Sequence, residues 1–177
     1  MRFGIAILRA VIGGLFIGHG LQKLTGAFGG HGLEGTAGFF ESLGLHPGKH
    51  HATAAALSET GGGALLVAGA LTPAATAALT GTMTVAIAKV HGANGIWGQN
   101  GGYEFPLVMV AGLFAITASG PGALALDRRE WGTPWAIAAL AGGIGGGFAA
   151  IKYGEMNAPA EAEGPAPEQA QEEAPAI

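Results

Sequence analysis

Residues 3–24 read FGIAILRAVIGGLFIGHGLQKL, with Arg9 and Lys23 as their charged side chains. An apolar run of this length matches the ~20 residues that a helix needs to cross a bilayer core, and this reading decides the fold class. Met1-Arg2 is a short basic lead, no small-x-small cleavage pattern follows, and more apolar segments come later. The run is therefore expected to be a retained membrane helix and not a signal peptide.

Four further apolar segments follow at 52–71, 74–90, 105–119 and 134–151. The expected fold is all-α: an integral membrane helical bundle with four core transmembrane helices and a Gly-rich fifth. The punctuation agrees. Thr72-Pro73 reads as a tight turn, Pro106 and Pro134 lie near helix starts, where a missing N–H costs little, and Pro121-Gly122 closes the fourth segment. The Gly- and His-rich loop 25–51 has room for a short re-entrant or interfacial turn around 36–43. The domain reading is a membrane core at 1–127, an additional transmembrane helix at 128–154, and a disordered acidic tail rich in Pro, Ala and Glu at 155–177.

Composition supports this division. Of 177 residues, 49% are hydrophobic and 11% charged, against about 25% charged in soluble domains. The formal charge of −4 is misleading, because 155–177 holds six acidic and no basic residues. Residues 1–154 carry eight Lys and Arg against six Asp and Glu, or +2. No basic patch suits nucleic acid. The absence of cysteine removes disulfides, thiolate catalysis and cysteine-ligated clusters. Lys and Arg divide almost evenly between the two faces, Arg2, Arg128 and Arg129 on one and Lys23, Lys49, Lys89 and Lys152 on the other, so orientation stays open. Arg9 is expected to snorkel from the first helix toward headgroups.

Helices of alternating direction bring His19, Lys23, Glu59, Lys89, His91 and Glu104 to one side of the membrane. Ionisable groups at such depth are costly and tend to pair or line a cavity. His19 and Lys23, four apart, share a helical face, and Glu59 is followed by Gly61, Gly62 and Gly63, which leave room for a helix or a ligand. Histidine and carboxylate suit proton relay. The candidate catalytic residues are His19, Glu59 and Lys89, with Lys23, His91 and Glu104 as cofactor-binding residues. Snorkelling or capping would also account for Lys23, Lys89 and Glu104, and a Glu59–Lys pair could serve helix packing alone. His31, His46, His50 and His51 read as plain loop histidines, so no metal is expected. The run Gly142–Phe148 lacks the spacing of a nucleotide-binding loop. Gly14–Gly18, Gly142–Gly146 and Gly143–Gly147 have the small-x-x-x-small spacing of close helix contacts.

Taken together, Arg9…Gly14-Leu15-Phe16-Ile17-Gly18-His19-Gly20-Leu21-Gln22-Lys23-Leu24, Glu59…Gly62-Gly63…Leu71-Thr72-Pro73, Lys89-Val90-His91, Gly101-Gly102-Tyr103-Glu104-Phe105-Pro106-Leu107 and Gly120-Pro121-Gly122-Ala123…Leu126-Asp127 resemble the DoxX family of small membrane proteins, across roughly 2–127. The resemblance implies a four-helix membrane core in a cell membrane and a redox association. In one member's system a DoxX-type subunit works with a DoxD-type subunit to oxidise thiosulfate with a quinone acceptor. The family's recurrent polar positions match His19, Lys23, Glu59, Lys89, His91, Glu104 and Asp127. Asp127 reads as a loop cap or an ion pair with Arg128, not as catalytic. Three functions stay open: a redox subunit with quinone as its cofactor, a scaffold anchoring a soluble oxidoreductase, and a small-solute transporter. The expected partners are membrane lipid, a redox enzyme, or a second copy of the chain.

Overall fold

Each long apolar segment folds as a single helix in the computed structural model, which describes residues 2–159. In chain order these are α1 (Arg2–Thr25), α2 (Gly32–Ser42), α3 (Gly48–Ala68), α4 (Thr72–Ala86), α5 (Glu104–Ser119) and α6 (Thr133–Met156), and no strand forms among the described residues. Glu155 and Met156, expected to open the disordered tail, instead end α6, and the expected tail from 160 onward lies outside the described residues. The short turn expected near 36–43 is the eleven-residue helix α2. Helix α3 starts four residues before its apolar segment, because the Glu41 carboxylate accepts the Gly48 N–H at 3.0 Å and caps the first turn. Beyond Ala86, α4 widens into a π-helical turn, Ile87–His91.

Glycine sets how closely α1 and α3 approach. A Cβ on Gly13 would stand 2.7 Å from the Gly63 carbonyl oxygen, and one on Gly63 equally close to that of Gly13. Gly20, two turns after Gly13, meets Thr60 in the same way. The expected pair Gly14–Gly18 has nothing within 4 Å. The close face is therefore carried by Gly13 and Gly20 instead. Between α4 and α6 the contact runs through Gly143 against Thr80 and Gly147 against Thr84, whereas Gly142 and Gly146 meet nothing. Spacing alone could not choose between these overlapping pairs.

Inside the bundle, Phe16, Leu66, Leu79, Leu113 and Ile116 from α1, α3, α4 and α5 are fully buried in one cluster. Outside, Phe3, Ile7, Val11 and Leu15 form an exposed row along α1, and Val108 and Phe148 are exposed on α5 and α6. Helices α1 and α6 are long and apolar enough to cross a membrane.

One end of the bundle is sealed by two charged side chains. Arg9 is 2% exposed. Its guanidinium donates to the carbonyls of Val67 (3.3 Å), Pro121, Ala123 (3.4 Å) and Leu124 (3.3 Å). It does not snorkel, because carbonyls at the end of α3 and in the connection after α5 satisfy its fork where it stands. Gly69, at φ 61°, ends α3 in the left-handed conformation glycine permits. Asp127 accepts the N–H groups of Leu71 and Thr72 at 3.0 Å, the Thr72 hydroxyl at 2.8 Å and the Trp131 indole at 2.9 Å. It is thus the cap of α4, where a carboxylate also meets the positive end of the helix dipole.

Candidate functional site

The opposite end, where α1 terminates, holds the ionisable groups. Lys23 Nζ donates to Glu59 Oε2 at 2.6 Å. The Glu59 side chain is 3% exposed and that of Lys23 26%, so a carboxylate midway along α3 is compensated by a cation that still touches the outside. A buried carboxylate without this partner would carry a large desolvation cost. His19 lies one turn before Lys23. Its carbonyl accepts from Lys23 Nζ at 3.5 Å, and its Nδ1 is 3.0 Å from Gln22 Oε1.

These groups border a cavity of about 730 Å³ reached by all six helices. That volume lies within the ~300–1,000 Å³ usual for small-molecule pockets. Its walls are mostly apolar and include Phe16, Phe40, Met83 and Met109. Its polar lining is His19, Lys23, Glu59 and His91 with His51, Ser58 and Thr82. Such a site can take an apolar ring and meet one polar edge with a cation, a carboxylate and imidazoles.

Four of the six expected residues, His19, Lys23, Glu59 and His91, thus share one cavity. Nδ1 of His91 is 2.8 Å from the Gly101 carbonyl, which orients its ring. Lys89 and Glu104 lie at the same end but do not line the cavity. Lys89 Nζ donates to Glu155 Oε1 at 3.1 Å, because the widened turn carries it toward α6. Glu104 is exposed at the first residue of α5, where the helix dipole favours a carboxylate.

His51 was not among the expected site residues. It is 8% exposed, lines the cavity, and its Nε2 has no hydrogen-bond partner. Its ring stands 6.1 Å from Phe40 and 5.8 Å from Tyr153. Reading His50 and His51 as loop residues hid this, since both belong to the first turn of α3. With the helix started at Gly48, the four-residue spacing of His51, Ala55 and Glu59 puts them on one face, and all three line the cavity.

The DoxX family model matches residues 4–92, which hold His19, Lys23, His51, Glu59, Lys89 and His91. The chain belongs to the DoxX family, a family of membrane proteins. No curated protein and no solved structure matches it.

Proposed function

We propose that this DoxX-family chain is a multi-pass subunit of a redox system in a cell membrane, and that its cavity receives the head group of a quinone. In this reading α1, α3, α4 and α5 are the spanning core and α6 is a fifth span. The exposed apolar rows on α1, α5 and α6 support it, since such surfaces need a hydrocarbon environment.

The observation that carries the quinone reading is the Lys23–Glu59 pair, its carboxylate buried at the wall of an apolar cavity of quinone-compatible size. A quinone presents an apolar ring and carbonyl oxygens that need donors. Phe16, Phe40 and Met83 suit the ring; Lys23 and His19 supply N–H donors. Reduction to the quinol takes two electrons and two protons. The protons are exchanged through Glu59 and His19, groups whose chemistry suits relay. The electrons come from a partner oxidoreductase, with thiosulfate as the first donor to try.

Glu59→Gln keeps the side-chain shape and removes the proton-exchanging group. The variant is expected to remain folded in the membrane and to lose quinone-coupled turnover with its partner. Turnover equal to that of the unmodified protein would contradict the reading.

A further inference from the structure

The cavity bordered by Lys23 and Glu59 extends to the side of the bundle, where some of its lining residues are exposed. Helix α6 packs along α4 but barely touches α3. A groove therefore runs between α3 and α6 with α4 as its floor. Ala54, Ala78, Gly142 and Gly146, from these three helices, line the cavity and are exposed. Nothing lies within 4 Å of where a Cβ on Gly142 or Gly146 would stand. Both glycines fall in the middle of α6, so on a spanning helix this side faces hydrocarbon and not water. Ser58, next to Glu59 in sequence, lines the same continuous cavity.

A slot walled by Ala and Gly, open at bilayer depth and continuous with a buried charged pair, matches a ligand with a polar head and an apolar chain. We propose that the groove holds the hydrocarbon chain of a lipid-soluble quinone, which enters sideways from the bilayer with its head toward Lys23 and Glu59. This rests on the quinone reading above and adds the seat of the ligand's chain and its route. Small side chains at these four positions follow from this role, because larger ones would fill the slot.

The test uses the full chain in phospholipid nanodiscs and two benzoquinones with the same head. One has no chain, and its binding is measured by equilibrium dialysis. The other has a decyl chain ending in a photoreactive diazirine, and its attachment sites are read by mass spectrometry. The chain end is expected to label the α4 and α6 segments around Ala78 and Gly142. Gly142→Leu and Gly146→Leu, each with room for its Cβ, should each lower that labelling about tenfold, roughly the effect of unburying two methylenes. Both should leave binding of the chainless quinone unchanged. Labelling spread over the outer face of α1, or unaltered by either leucine, would overturn the groove while the quinone site stands. If the unmodified protein binds no chainless quinone, the quinone reading fails and the groove's ligand fails with it.

Discussion

Lys23 Nζ stands 2.6 Å from Glu59 Oε2, joining the last turn of α1 to the middle of α3 across a distance of 36 residues in sequence. The pair is asymmetric, with the carboxylate buried and the ammonium partly reachable. Removing the cation strands a buried charge. Lys23→Met is therefore expected to destabilise the bundle by roughly 3–5 kcal/mol. Adding Glu59→Leu should recover most of the loss, since an apolar pair of similar volume needs no compensation. Thermal unfolding in detergent would test both, and a double variant no more stable than Lys23→Met would contradict the pairing.

The two lysines at this end should behave differently. Lys89 pairs with Glu155, which is half exposed, and exposed ion pairs contribute about 0–1 kcal/mol. Lys89→Gln is expected to leave quinone binding nearly unchanged, whereas Lys23→Gln should weaken it severalfold. Equilibrium dialysis with the chainless quinone measures both, and equal losses would show that Lys89 also reaches the ligand.

Glycine substitutions test the helix register. A side chain at Gly13 or Gly63 meets the facing backbone at 2.7 Å, whereas one at Gly14 meets nothing. Gly13→Ala and Gly63→Ala should each cost about 1–3 kcal/mol through overpacking. Gly14→Ala should stay within about 0.5 kcal/mol of the unmodified protein. Unfolding midpoints in the same detergent give the comparison, and a large loss at Gly14 would put the close face elsewhere.

Much of this architecture was legible in the sequence, because apolar run length and proline position are local signals. All five apolar segments lie on helices, and the charged residues expected at one end are found there. The failures came from partners distant in sequence. Arg9 is held by carbonyls more than 100 residues away, so its burial left no local trace. The start of α3 depends on Glu41, a side chain from the preceding helix, and misplacing that start hid His51. The choice of Gly13 over Gly14 is a matter of a 100° rotation, which a run of glycines does not encode.

Asp127 gives a pH dependence outside the spanning helices. Burial alone would raise its pKa, but the hydrogen bonds from Thr72, Trp131 and Leu71 outweigh it and hold the carboxyl below its ordinary value. A carboxyl depressed on folding contributes stability that is complete above the unfolded pKa of ~3.9 and lost as pH falls through the lower folded value. Stability should therefore decline below about pH 4. Asp127→Asn should lose about 1 kcal/mol at neutral pH, as for loss of a cap, and flatten that part of the curve. Unfolding midpoints taken from pH 3 to pH 7 would show it, and an acid limb unchanged in the variant would assign the dependence to another group.

The most direct test of the account is native mass spectrometry of the protein released gently from its own membrane, beside the Lys23→Met/Glu59→Leu variant. The account predicts the 17.5 kDa chain carrying one long-chain quinone, which the folded double variant lacks. An unmodified chain carrying only phospholipid, or a quinone equally retained by both proteins, would contradict a quinone site built on Lys23 and Glu59.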